Sequence, residues 1–472
     1  MLGKRRPSRV SEQRISADAR RHGQVTNDAA IDKERAGKVD ENAVNILRLA
    51  HDGRGVAKDD AGKTLFVDQA LPGEMVKVAV HRSRKRFDEA HVRELITSSS
   101  ERVLPPCPHY GQCGGCDLQH LSLQAQRRHK CDVLIDQLAR QGVALDASPT
   151  LLAGEGFGYR RRARLGVKVD AQGQVHLGFR ARGSRHLVDI TECPILVPSL
   201  ADLLNPLRQH LATLQAPRQV GHIELLAGDQ GIVVAVRQLR ANAEDAQSWR
   251  QWAESHEITL GLLQGRENPK FSLPDKTLQL SYTLKSGARN LTQRSVELYF
   301  GPGDFLQINA KINREMVATA LNWLEPDKND HVLDLFAGVG NFSLALAPHV
   351  AKVTSVEGSQ AMVERIQHNA RHNGLDNIDA RVGDLNEPSA LDSCPDSVVL
   401  DPPRNGADAV CRALAESKVK RILYVSCDPA TLARDAGHLL RGGYRITQAA
   451  VADMFAQTAH LEAMLLFERS SA

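Results

Sequence analysis

The sequence predicts an α/β protein: a parallel sheet wound with helices at its C-terminal end, preceded by a small all-β barrel and a central α+β segment. Three observations carry this. Beyond residue 303, short apolar runs suited to strands buried on both faces alternate with helical stretches, and several runs stop on an acid. Residues 44–96 instead hold short alternating strands cut by Gly, Pro and Asp turns. Between the two lies a cluster of thiols and a pair of basic strands.

Bulk properties bound the reading. At 472 residues the chain exceeds one ordinary core. Four segments are expected: a disordered basic tail over 1–36, the barrel over 37–97, the central segment over 98–302 and the wound sheet over 303–472. Hydrophobic residues make up 42% and charged residues 25%, values of a soluble globular protein. No run of about 18 apolar residues occurs, so no transmembrane helix is expected. The opening Met-Leu-Gly-Lys-Arg-Arg is no secretory signal, so a cytoplasmic location is expected, with the eight cysteines reduced. Clustered thiols then point to metal or catalysis before disulfides.

In chain order, the tail is rich in Arg and Lys and suits phosphate contact without sequence preference. In the barrel, the stretch His81-Arg-Ser-Arg-Lys-Arg-Phe87 reads as a basic loop that could hold a nucleic-acid backbone and stack a base on Phe87. Cys107, Cys113 and Cys116 follow a Cys-x5-Cys-x2-Cys spacing with two glycines between the last pair. Such a loop turns its sulfurs inward on zinc or an iron–sulfur cluster and needs a fourth ligand. Cys193, in a Pro-bounded turn, is the best fourth ligand; Cys131 lies in an amphipathic stretch and is expected to pack. Arg160, Arg161, Arg162, Arg164, Lys168, Arg180, Arg182 and Arg185 frame a hairpin expected to show a row of cations to RNA. Residues 199–300 give mixed α/β signals and no chemistry.

From Gly303 the pattern sharpens. A strand ending at Phe336 runs into the tight turn Ala337-Gly338-Val339-Gly340 and a helix, a geometry that lets backbone approach a ligand. The next strand ends at Glu357, 17 residues after Gly340, near the spacing at which an acid meets ribose hydroxyls. Further runs end at Asp384, suited to an adenine amine, and at Asp401 in Asp-Pro-Pro-Arg404. The run 421–426 stops at Ser426-Cys427 and a helix starts at once, with Asp428 as cap and Pro429 at its first position. Cys427 thus stands at the carboxyl edge of a strand and a helix N-terminus, which is expected to lower its pKa. A thiol there and a carboxylate at Glu462 are the two parts needed to methylate a pyrimidine at C5.

The glycine turn with its acids resembles class I S-adenosylmethionine-dependent methyltransferases, whose fold is Rossmann-like. The stretches Phe-Leu-Gln-Ile-Asn309, Asp-Leu-Phe-Ala-Gly-Val-Gly-Asn-Phe342, Asp-Pro-Pro-Arg404, Ser-Cys-Asp-Pro429 and His-Leu-Glu462 resemble the RNA uracil-C5 methyltransferases. The barrel resembles the OB-like TRAM domain. The resemblance implies that Gln307, Phe336, Asn341, Glu357, Asp384 and Asp401 bind S-adenosylmethionine. It makes Cys427 the nucleophile and Glu462 the base, with Cys107, Cys113, Cys116 and Cys193 holding a [4Fe–4S] cluster. It also implies 23S ribosomal RNA as partner, with no protein partner. A TRAM-like start joined to a Cys quartet favours uridine 1939 of that RNA over uridine 747 or transfer RNA uridine 54. A cluster-bearing RNA binder without activity is the competing class, and the intact Cys427 and Glu462 argue against it.

Overall fold

The computed structural model describes residues 43–266, 270–271, 279–286, 293–385 and 395–469. The basic tail and Cys394 lie outside them. An eight-stranded sheet dominates the C-terminal half, in the order Ile378–Val382, Lys352–Glu357, His331–Leu335, Ser397–Leu400, Arg421–Ser426, Glu462–Arg469, Tyr444–Ala452 and Thr150–Leu152. The first five strands run parallel. Glu462–Arg469 is antiparallel to both neighbours, and Thr150–Leu152 lies parallel to Tyr444–Ala452 at the edge.

The apolar runs are strands for the reason their composition gives. Successive side chains alternate faces, so a strand covered on both sides needs apolar residues at every position. Val332, Val353, Val399, Leu423, Val425 and Met464 enter one core, while Leu333, Val356, Val398, Ile422, Tyr424 and Leu465 enter the other. Asp428 caps the helix Pro429–Arg441, its side chain accepting from Ala430 and Thr431 amides at 3.0 Å.

The helix Leu123–Arg140 belongs to this assembly too. Its buried Leu134 and Leu138 share a core with Leu432 and Leu439 of the helix Pro429–Arg441, and the half-buried Cys131 packs there as expected. On another face, Lys130 is 1% exposed and donates to Asp453 at 2.8 Å and to the Phe455 carbonyl at 2.9 Å. Arg127 donates to the other Asp453 oxygen at 2.9 Å. Burial pulls the Lys130 pKa down and Asp453 pulls it back.

The barrel is a six-stranded sheet around Ile46, Ala57, Leu65, Val67, Ala70, Val76 and Ala90. The expected loop at 81–87 is instead a tight hairpin: Met75–Ser83 is strand, and the Arg84 amide donates to the Phe87 carbonyl at 2.9 Å. Arg84, Lys85 and Arg86 are exposed, but the Phe87 ring turns onto Phe66, centroids 5.3 Å apart. The base-stacking role expected for Phe87 is therefore corrected; an apolar ring gains more from covering the barrel than from water.

The central sheet has seven strands, Leu187–Asp189 to Lys270–Phe271, backed by a core that includes Leu207 and Trp249. Its basic hairpin does not present one row of cations. Arg161 points inward, 4% exposed, with its guanidinium 4.4 Å over the Tyr282 ring, and Arg162 pairs with Glu224 at 2.5 Å. Strand alternation separates these neighbours, leaving Arg164, Lys168, Arg180 and Arg185 exposed.

Replacing Lys130 with Ala leaves Asp453 buried with only Arg127 as a cation. It is expected to cost about 3 kcal/mol, read as a lower denaturant midpoint at unchanged slope. A loss below about 1 kcal/mol would mean that Arg127 alone neutralises the site.

Candidate active site

At the carboxyl edge of the parallel strands opens a cavity of about 990 Å³. The turn after His331–Leu335 forms its floor. Phe336, Gly338 and Gly340 all take left-handed backbone, φ +63°, +56° and +90°. A side chain at Gly338 would project into open space, with only the Phe305 ring at 4.0 Å, so the glycine leaves that space to a ligand. The Gly338 amide donates to Glu357 at 3.0 Å, which ties the acid of the second strand to the turn of the first.

All eight residues expected to bind donor or do chemistry line this cavity: Gln307, Phe336, Asn341, Glu357, Asp384, Asp401, Cys427 and Glu462. Asn341 does so with its side chain already engaged. It exchanges hydrogen bonds with Asn313 at 2.9 Å each way and accepts from the Tyr282 hydroxyl at 3.1 Å. Cys427 and Glu462 come from paired strands, one residue beyond the Ser426–Ala463 register pair on either side.

The electrostatics differ from the expectation in one respect. Cys427 was expected to be acidified by its helix, but its thiol is pushed up to about 11, first by burial, then by Glu462 and Asp401, with Arg404 pulling it down. The helix end cannot help much, because the Asp428 carboxylate already occupies its first free amides. Burial also raises Asp401 to about 7, with Asp334 adding to it, and lifts Glu462 well above the carboxylate range, with Asp401 adding. Asp334 is fully buried behind them. Burial raises it to about 7 although the Ser343 hydroxyl donates to it at 2.5 Å. The buried Asp334 and Glu462, the half-buried Asp401 and a thiol short of positive charge make a site that favours a cationic ligand.

Sequence reasoning missed Tyr282, Phe455 and Thr458 in the wall and spelled His460 only as a neighbour of Glu462. Tyr282 comes from the stretch that gave no signal, and Phe455 and Thr458 from a loop with no motif.

A second pocket, about 250 Å³, is lined by Cys107, Cys113, Cys116 and Cys193. Gly114, Gly115 and Arg160 line both cavities. Burial holds these thiols up, Cys116 to about 12 and Cys193 to about 11, each further raised by its neighbours in the quartet. Among the described residues, no three His, Cys, Asp or Glu side chains converge on a single metal ion.

A glycine turn, strand-end acids and a thiol–carboxyl pair at the edge of this sheet define a class I, Rossmann-like methyltransferase fold. Residues 125–384 and 387–470 match the family model described as tRNA (Uracil-5-)-methyltransferase, and residues 38–92 match the TRAM domain. The chain belongs to the tRNA (uracil-5-)-methyltransferase family. It is 54% identical over 477 aligned residues to the 23S rRNA (uracil(1939)-C(5))-methyltransferase RlmD of Chromohalobacter salexigens, spanning 100% of this chain and 96% of that one. It is 52% identical to the protein of the same name from Halomonas elongata, over 99% and 96%. Among solved structures, the Pyrococcus abyssi tRNA (uracil-54, C5)-methyltransferase in complex with S-adenosyl-L-homocysteine shares the fold. Its TM-score is 0.70 at 24% identity, over 90% of this chain and 99% of that one.

A raised carboxyl pKa means that folding takes up a proton, so the stability it confers is present at acid pH and lost as pH rises through about 7. Asp334→Asn is therefore expected to raise the melting temperature of the ligand-free protein by a few degrees at pH 8, the gain shrinking towards pH 4. A melting temperature lowered at every pH would show instead that the Ser343 bond outweighs the burial.

Proposed function

We propose that the protein transfers the methyl group of S-adenosylmethionine to C5 of uridine 1939 in 23S ribosomal RNA, by covalent addition of Cys427 to C6. The observation that carries this reading is the meeting of Cys427, Glu462 and the glycine turn in one cavity. Family membership and the names of the relatives support the reaction and the RNA.

S-adenosylmethionine supplies an electrophilic methyl group on a cationic sulfur. Glu357 suits its ribose, Asp384 its adenine amine, and Gln307, Phe336 and Asn341 complete its bed, with Asp401 facing the charge. A cation there favours the ionised forms of Asp401, Glu462 and Cys427, drawing the thiol down from its resting pKa. Uracil C5 is a poor nucleophile until the Cys427 thiolate forms a bond to C6 and the ring electrons shift into an enolate. C5 then attacks the methyl carbon, whose bond to sulfur breaks with its electron pair going to the sulfur, so S-adenosylhomocysteine leaves as a neutral thioether. Glu462 removes the C5 proton, the C6–sulfur bond breaks, and the thiolate leaves with that electron pair.

The Cys quartet is read as the seat of a [4Fe–4S] cluster. The resemblance, not the spacing, favours a cluster over zinc, and the four thiols line one pocket of about 250 Å³ that leaves space for it. Cys107, Cys113, Cys116 and Cys193 would hold such a cluster, which would then have no open iron and would shape the loop, leaving the chemistry to Cys427. RNA contact is assigned to the exposed Arg84–Arg86 tip and to Arg164, Arg180 and Arg185. Among the described residues no helix is long and apolar enough to cross a membrane. Unbridged thiols and a ribosomal substrate support the cytoplasm.

With 5-fluorouracil in the target position the C5 substituent cannot leave, so a methylated RNA adduct on Cys427 is expected in mass spectra, absent in Cys427→Ala. Glu462→Gln is expected to accumulate the same adduct on ordinary RNA. An RNA that binds and is methylated without any adduct would sink the covalent route. Anaerobically purified protein is expected to carry four irons with thiolate charge-transfer absorption, and Cys193→Ser to lose them. One zinc per chain would overturn the cluster.

A further inference from the structure

The loop joining Tyr444–Ala452 to Glu462–Arg469 carries three side chains of the cavity wall, Phe455, Thr458 and His460. They are tied to one another. The Thr458 hydroxyl donates to the Phe455 carbonyl at 2.8 Å and accepts from the His460 amide at 3.2 Å, and the Phe455 and His460 rings lie 5.7 Å apart. Between them Gln457 stands at φ +69°, a left-handed conformation that an L residue keeps only when its surroundings impose it.

What imposes it comes from 331 positions earlier in the chain. Gln126 is 1% exposed on the helix Leu123–Arg140. Its side-chain carbonyl accepts the Gln457 amide at 3.0 Å, and its Nε2 donates to the Gln457 side chain at 3.0 Å. The two hydrogens of the same Nε2 are shared with the carbonyls of Leu118 and Leu121, at 3.0 and 2.8 Å, so one of them is bifurcated, and these acceptors fix the orientation of the amide. The Gln457 carbonyl accepts both the Asp117 and the Leu118 amides at 3.0 Å. Both backbone polar atoms of the strained residue are therefore held by one segment, 117–126, that starts directly after Cys116. No other side chain does this job: Glu lacks the donor, Leu lacks both, and Asn is a methylene short.

We propose that Gln126 is a positioning residue for methyl transfer: by clamping the left-handed turn at Gln457 it keeps Phe455, Thr458 and His460 in the wall of the cavity that holds Cys427 and Glu462. This rests on the reading of that cavity as the methyl-transfer site. Without Gln126 the Gln457 amide loses its acceptor and the left-handed turn is held only through its carbonyl on Asp117 and Leu118, so the wall residues bonded around it lose their fixed position.

The test is steady-state methylation of a 23S RNA fragment by Gln126→Ala, Gln457→Gly and the double variant, with RNA binding and melting temperature measured alongside. Gln126→Ala is expected to lower kcat about 10- to 100-fold, the scale set by small misplacements of a site, while RNA affinity and KM stay within about twofold. Glycine takes φ +69° freely, so Gln457→Gly is expected to stay near wild type and, in the double variant, to restore most of the lost kcat. A merely structural Gln126 would give no such rescue. An unchanged kcat in Gln126→Ala, a loss confined to KM, or a double variant as slow as Gln126→Ala would each overturn the proposal. If Gln126→Ala does not fold, the isosteric Gln126→Glu, which keeps the acceptor and loses the donor, takes its place with the same expectations. Absence of the 5-fluorouracil adduct in the wild type would remove the underlying reading; a wild-type adduct with no effect of Gln126 would remove this inference alone.

Discussion

A strand buried on both faces has no room for polar chemistry along its length, so function collects at its ends. That constraint organises this molecule. Val332, Leu333 and Leu335 leave the buried part of the strand His331–Leu335 apolar apart from Asp334, and the useful backbone begins one residue past the strand, at Phe336. The other strands repeat the arrangement with Glu357, Asp401 and Cys427, each placed at or just beyond a last paired residue. The antiparallel return of Glu462–Arg469 breaks the parallel pattern and brings the start of one strand to the ends of the others. That is how a carboxyl late in the chain comes to face the thiol's cavity.

The cost of gathering acids in a dry place is that they do not stay charged. Burial raises Asp334 and Asp401 to about 7, lifts Glu462 well above the carboxylate range, and leaves the thiol less acidic than one in water. Such a site is poorly suited to attack when empty. A cation entering the cavity favours the ionised forms of these groups, so on the proposed reading the arrival of the donor and the activation of Cys427 are linked through charge.

Much of this was legible in the sequence because the information is local. A four- to six-residue apolar run, a glycine turn and an acid at the strand end are neighbours in the chain, and so are Cys427 and its Asp428 cap. What was not legible depends on distant packing. The thiol's pKa follows from burial and from Glu462, 35 positions on. The inward turn of Arg161 follows from Tyr282, and that of Phe87 from Phe66. Tyr282, Phe455 and Thr458 sit in stretches whose composition is unremarkable, and only the closure of the fold brings them to the cavity.

The small edge strand Thr150–Leu152 has a consequence for how the protein is made. Its register partners are Ala450, Val451 and Ala452, 300 residues later. At translation rates of about 5–20 residues per second, that strand emerges on the order of 15–60 s before its partner strand, and Leu134 and Leu138 about as long before the helix Pro429–Arg441 that covers them. In that interval Leu134 and Leu138 are uncovered, a natural target for a chaperone at the exit tunnel. A protein that modifies ribosomal RNA thus leaves its own ribosome with its central layer still open, and closes it only when the polypeptide's late strands arrive.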